Sequence, residues 1–247
     1  MNIFWGELIG TMLLILLGNG VVANVLLKQS KGYQSGWIVI TAGWGFAVAV
    51  AVYVAGWASG AHLNPAVTLG FCLSGITDWD LFFVYVSSQM IGAMLGALAV
   101  WLTYFPHWRL TEDASHRLMC FATHPAVRNY KWNFITEVIG TAVLLIGVLG
   151  IFNAHNQIAS GVGPYAVGIL VFSIGLSLGG PTGYAINPAR DLGPRLIFAI
   201  LPISRKGNAD WPYAWVPVLG PLCGAVLGAL IYKYGIVSLQ ALNGPGL

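Results

Sequence analysis

The sequence predicts an all-α membrane protein with six transmembrane helices and two re-entrant half-helices, arranged as an inverted 3+3 repeat. Three observations lead there. Six apolar stretches approach the length of about 20 residues that crosses a hydrocarbon core. Two shorter apolar pieces each open with Asn-Pro-Ala, and a pentapeptide near the start recurs in the second half of the chain. Composition agrees: 57% of the 247 residues are hydrophobic and 8% charged, whereas an ordinary soluble domain carries about 25% charged residues. A water-soluble globule is excluded. The eleven basic and eight acidic residues are scattered along the chain, which argues against the single basic face of a nucleic-acid binder. Cys72 and Cys223 lie in apolar stretches and only Cys120 in a polar one, so no disulfide framework is implied.

The first span, about Ile3 to Leu27, is too long for a removable signal and lacks its cleavage region, so it stays in the mature protein. Trp37 to Trp57 is the second span and Leu81 to Tyr104 the third. Phe105 to Lys131 holds most of the exposed charge and reads as a connecting loop. Trp132 to Phe152, Pro164 to Leu178 with its flanks, and Tyr213 to Tyr234 are the remaining spans. Trp37, Trp57, Trp101, Trp132, Tyr213 and Tyr234 mark their ends, the depth at which amphipathic rings settle. The whole of residues 1–247 is then one transmembrane domain, with repeat 1 ending near 104 and repeat 2 starting near 132.

Asn64 to Ser74 and Asn187 to Leu201 are too short to span. Asn is a favoured N-cap and Pro a favoured first helical residue, because its missing N–H has no partner there anyway. Ser59 to Leu63 and Thr182 to Ile186, which precede them, are then non-helical at membrane depth. Such backbone is tolerated only inside protein or along a water-filled cavity, so a pore or transport site is indicated. Glu7-Leu8-Ile9-Gly10-Thr11 recurs as Glu137-Val138-Ile139-Gly140-Thr141, each opening the first span of its half. Three spans per half is an odd number, so the second copy must enter from the opposite face, and inverted repeats with broken helices place their site at the midplane.

The two triplets, Asn64-Pro65-Ala66 and Asn187-Pro188-Ala189, are the principal candidates. Each Asn oxygen is expected to cap its helix, leaving the amide NH2 to the lumen as a donor. Two half-helices meeting head to head bring about half a positive charge each to one depth, which repels cations and breaks a proton relay along a water file. Arg190, inside an apolar stretch, is expensive and marks a pathway; its forked donors suit hydroxyl or carbonyl oxygens. Asp191 reads as a structural partner of Arg195 or of a backbone donor. Glu7 and Glu137 read as buried carboxylates that accept backbone N–H bonds and fix the non-helical segments, with a proton relay as the weaker reading. His62 either lines the lumen or holds its own loop. Gly175-Leu176-Ser177-Leu178-Gly179 matches the G-x-S-x-G pattern of serine hydrolases but lies in a helical span, without the strained strand-to-helix turn that makes a nucleophile. A Ser177 and His62 intramembrane protease is the enzymatic rival. No zinc-protease, phosphate-loop or dinucleotide fingerprint appears, so neither metal nor cofactor is expected.

Ser59 to Thr68 and Gly183 to Arg195 resemble the two signature loops of the aquaporins, and the resemblance covers nearly the whole chain. Asp191 directly after Arg190, with Pro221-Leu222 in the last span, resembles the glycerol-conducting branch, the aquaglyceroporins. The resemblance implies a selectivity filter of Trp44, Gly175, Tyr184 and Arg190, with Gly175 leaving room for a carbon chain and Trp44 and Tyr184 forming an apolar corner. Tyr184 departs from the Phe usual in the bacterial glycerol facilitator. The resemblance further implies a passive channel for glycerol, other small uncharged solutes and water, a homotetramer in the plasma membrane, and cytoplasmic termini. A channel selective for water, dihydroxyacetone, urea or undissociated lactic acid is one alternative, and a secondary transporter on the same inverted repeat is the other. The bias of Lys28, Lys31, Arg109, Arg117, Arg128 and Lys131 over Lys233 opposes that orientation under the positive-inside rule.

Overall fold

Lipid offers the backbone no hydrogen-bond partner, so each crossing segment must close its own bonds as a helix. The computed structural model describes residues 2–238, and these hold nine α-helices. They are α1 (Asn2–Leu26), α2 (Trp37–Ser59), α3 (Pro65–Leu73), α4 (Phe82–Thr103), α5 (Ala114–Met119), α6 (Tyr130–Ile151), α7 (Gly163–Leu178), α8 (Pro188–Ile200) and α9 (Val216–Leu230). Five stretches are long and apolar enough to cross a membrane, the last continuing α9 through a π-helical turn, Ile231–Val237. The sixth expected span, α7, has only 16 residues, about 24 Å of helix. It crosses with its flanks while packed on α2.

The repeat is visible in the packing. Helix α1 lies against α2 and α4, and α6 against α7 and α9 in the same way; each half-helix packs on the last span of the other half, α3 on α9 and α8 on α4. The centre of this relation is the α2/α7 contact. A Cβ on Gly45 would lie 2.8 Å from the Gly168 carbonyl oxygen, and one on Gly168 would lie 2.6 Å from that of Gly45. Elsewhere glycines let helices of one subunit touch. A Cβ on Gly92 would lie 2.3 Å from the oxygen of Leu8, and one on Gly224 would lie 2.4 Å from that of Val138. The small-residue spacing along α1, α4 and α9 therefore serves contacts within the chain.

The connecting loop differs from its expected exposed character. Trp108, Thr111, Arg117, Leu118, Cys120, Phe121 and Thr123 are buried. Arg117 donates to the carbonyls of Trp108, Thr111 and Arg205, and the Phe121 carbonyl accepts from Asn19 Nδ2 at 3.1 Å. Burying the guanidinium is tolerated because backbone oxygens replace its water. The loop thus forms a strap across the start of α8, and Cys120 is apolar core rather than surface.

Candidate functional site

The two half-helices begin as their sequences dictate. Asn64 and Asn187 are extended N-caps, with Pro65 and Pro188 in the first turn. The Asn64 side-chain oxygen accepts from Ala66 N at 2.8 Å, and that of Asn187 from Ala189 N at 3.0 Å and Arg190 N at 3.1 Å. Each amide also spends a hydrogen across the junction, which corrects the expectation that both would be free. Asn64 Nδ2 donates to the Ile186 carbonyl at 2.7 Å and Asn187 Nδ2 to the Leu63 carbonyl at 2.8 Å. One hydrogen per amide remains, since the NH2 group carries two.

The segments before the caps take the same unusual path. Gly60, Ala61 and Leu63 have positive φ, as do Gly183, Tyr184 and Ile186. A non-glycine residue held there costs about 1–3 kcal/mol, so something must over-determine it. Glu7 does so in the first half, accepting from His62 N at 2.9 Å, Leu63 N at 2.7 Å and Ser59 Oγ at 2.7 Å. Glu137 does so in the second, accepting from Ala185 N at 3.0 Å and Ile186 N at 2.8 Å. With their N–H groups tied back, the carbonyls of Gly60, Ala61, His62, Gly183, Tyr184 and Ala185 accept no hydrogen bond among the described residues.

A cavity of about 950 Å³ follows these segments. Its wall includes Asn64, Asn187, His62, Trp44, Tyr184 and Arg190, with aliphatic residues such as Val48, Val67 and Val171. Glu7, Glu137 and Asp191 are fully or almost fully buried behind it. Arg190 stacks its guanidinium carbon 4.2 Å from the Trp44 ring centroid, and both its Nη1 and the Tyr184 hydroxyl are buried without a partner. Gly175 is not on the wall: a Cβ there would meet the Tyr184 ring carbon at 2.8 Å and its hydroxyl at 3.0 Å. The phenol occupies the space beside the glycine, held by an edge contact with Trp37, whose indole donates to the Gly175 carbonyl at 3.0 Å.

Asp191 accepts from Arg195 Nε at 2.8 Å and from Thr123 N and Oγ1 at 2.7 and 2.6 Å. The strap and α8 are thus locked one residue from Arg190. His62 lines the cavity and is itself held, stacked 4.0 Å from Tyr85 and bonded to Thr68 Oγ1 at 3.1 Å. Ser177 is exposed on α7 and does not share the cavity with His62. Gln89, Thr68, Tyr85 and Thr123 escaped the sequence reading. Gln89 is the one with a signal, a polar amide inside an apolar span.

A bundle with two half-helices meeting at a cavity that is mostly apolar but carries a few convergent polar groups defines a membrane channel for small solutes. The chain belongs to the major intrinsic protein family, whose model matches residues 2–232. It is 58% identical to a probable glycerol uptake facilitator protein of Thermotoga maritima, over 95% of this chain and 99% of the relative. Glycerol uptake facilitator protein 3 of Lactiplantibacillus plantarum is 55% identical over 92% and 94% of the two chains. The crystal structure of the aquaglyceroporin from Plasmodium falciparum superposes with a TM-score of 0.88 at 30% identity, covering 98% of each chain.

Proposed function

We propose that the chain is a passive channel for glycerol, other small uncharged solutes and water, acting without chemistry or energy input. The observation that carries this reading is the cavity wall. It offers unpaired carbonyls, two Asn amides and the Arg190 guanidinium together with aliphatic and aromatic side chains. A polyol carries a row of hydroxyls and a row of CH groups, and the wall holds partners for both. Water passes through its oxygen and hydrogens alone.

Trp44, Tyr184 and Arg190 form the filter, with Gly175 acting through Tyr184 by leaving its ring a place to sit. The Arg190 guanidinium lines the cavity with no side-chain or backbone acceptor among the described residues, and a passing hydroxyl oxygen supplies one, which offsets the desolvation cost of its burial. Arg190 and the two helix N-termini present positive potential, so cations and protons are turned back. The channel resides in the plasma membrane as a homotetramer with a pore in each subunit, its termini in the cytoplasm.

Stopped-flow light scattering on proteoliposomes tests the reading under gradients of glycerol and of an impermeant sugar. Fast equilibration of both glycerol and water, without proton leak, is the expected result. Fast water alone would mean that Tyr184 closes the filter to polyols. Uptake that saturates and follows an ion gradient would replace the channel with a coupled transporter.

A further inference from the structure

Behind the cavity wall, a line of polar groups runs from Glu7 to His62 and has no counterpart in the second half. Gln89 Nε2 donates to Glu7 Oε2 at 2.7 Å and to Thr68 Oγ1 at 3.1 Å. Thr68 Oγ1 lies 3.1 Å from the Asn64 carbonyl and 3.1 Å from His62 Nδ1. The other ring nitrogen, Nε2, is 3.4 Å from the Thr77 hydroxyl, and both residues line the cavity. In the second half Glu137 has no such amide: Pro221 follows Gly220, which packs on Glu137, as Gln89 follows Ser88 in α4.

The hydrogens along this line can be assigned by elimination. Glu7 already accepts two backbone N–H groups and a hydroxyl, so it faces the amide nitrogen of Gln89 and not its oxygen. That amide therefore gives its second hydrogen to Thr68 Oγ1. The single hydroxyl hydrogen of Thr68 then goes either to the Asn64 carbonyl or to His62 Nδ1. If it went to the ring, two acceptor oxygens would stand 3.1 Å apart with nothing between them, which is repulsive. If it goes to the carbonyl, the ring must donate from Nδ1, and all three contacts of the Thr68 oxygen become hydrogen bonds.

We infer that Gln89 and Thr68 are positioning residues that hold His62 in its Nδ1–H form, so that Nε2 faces the pore as an acceptor and favours solutes carrying hydroxyl donors. The Thr77 hydroxyl, at a long 3.4 Å, is a placeholder that a solute hydroxyl displaces. His62 then extends the row of carbonyl acceptors at Gly60, Ala61 and His62. These acceptors adjoin the donors of Asn64 and Asn187 on the cavity wall.

This inference rests on the proposed glycerol conduction for its second half only. The test begins with 15N-histidine-labelled full-length protein in bilayers, read by solid-state NMR, with the His62 signals assigned by their loss in H62N. A proton on Nδ1 and a bare Nε2 are expected in the wild type and in Thr68→Ser, which keeps the hydroxyl. In Thr68→Val, the Nε2–H form should appear. A wild-type ring protonated on Nε2 overturns the assignment, whatever the variants do. In liposomes, glycerol permeability relative to water should fall about fivefold in Thr68→Val, the worth of one hydrogen bond, and return in Thr68→Ser. Gln89→Leu, which frees Thr68 from its donor, should fall in the same direction and covers the case where Thr68→Val fails to fold. An unchanged ratio in a folded variant overturns the solute preference. Wild-type protein that passes no glycerol would defeat the proposed function and still leave the ring readable.

Discussion

Arg190 carries a charge through the apolar interior with no carboxylate on it; Asp191 is bound to Arg195 and Thr123 instead. Its partners are the Trp44 ring on one side and whatever enters the cavity on the other. Removing it leaves a wider opening with less positive potential, so Arg190→Ala should admit protons or small cations and pass bulkier solutes. Proton leak in dye-loaded liposomes checks this, and unchanged leak with unchanged selectivity would remove Arg190 from the filter. Gly175 supports a sharper expectation. Even one methyl there meets Tyr184 at 2.8 Å, so Gly175→Ala should push the phenol toward the pore and reduce glycerol flux more than water flux. Equal loss of both would assign the glycine to folding alone. The Asn caps, the arginine and the paired carboxylates were legible in the sequence because each breaks a local rule, a polar or rigid residue where apolar helix is the norm. The relation of Gly175 to Tyr184 was not, because a glycine shows nothing of which side chain fills the space it leaves.

Among the elements, the half-helices were legible from cap chemistry and the spans from length and apolar content, whereas the strap was legible only in part. Arg117, Glu112 and Asp113 make its sequence look like a solvated loop, but Arg117 finds three carbonyls and goes inside. Charge alone does not tell whether backbone acceptors will surround it. The strap's short helix α5 is capped by Asp113, whose carboxylate accepts from the Ser115 hydroxyl at 2.7 Å and from its backbone N at 2.8 Å. The Ser115 hydroxyl holds this carboxyl below its ordinary value, with the Ser115 N–H and His116 acting in the same direction. A lowered folded pKa stabilises above the ordinary carboxylate value and is lost as pH falls through the lowered one. Asp113→Ala should therefore reduce thermal stability at neutral pH, and its difference from wild type should begin to shrink as pH falls below the ordinary carboxylate value of about 4 and be gone below the lowered one. A difference that persists at low pH would mean that the cap works by packing. Glycine contacts between spans carry more. Gly224→Leu drives a side chain onto the Val138 backbone at 2.4 Å, and overpacking of this kind costs about 1–3 kcal/mol. Its melting temperature in detergent should drop, with no folded species of altered selectivity.

At the scale of the whole molecule, the inverted repeat decides which groups share a face of the membrane. Helix α1 ends beside the strap, since Lys28 N donates to Thr111 Oγ1 at 3.0 Å. Helix α9 starts on that face too, where Arg128 pairs with Asp210 at 2.5 Å just before Trp211–Tyr213. Asn2 and Ser238, the two ends of the described chain, therefore lie together on the opposite face. This parity follows from six crossings and does not depend on which side is cytoplasmic. The cations collect on the strap face, and the charge bias would turn that face inward. Folding changes the physical weight of that charge: Arg117 is buried among carbonyls, Arg128 sits on Asp210, and Lys28 lies 3.7 Å from Glu112. A strap packed in this way does not behave as a free basic loop. We therefore expect the strap outside and both termini in the cytoplasm. Epitope tags on either terminus should resist protease in intact cells and be cut together once the cells are opened. Tags cut together from outside would invert the orientation and leave the parity intact, while one tag cut without the other would contradict the six-crossing topology itself.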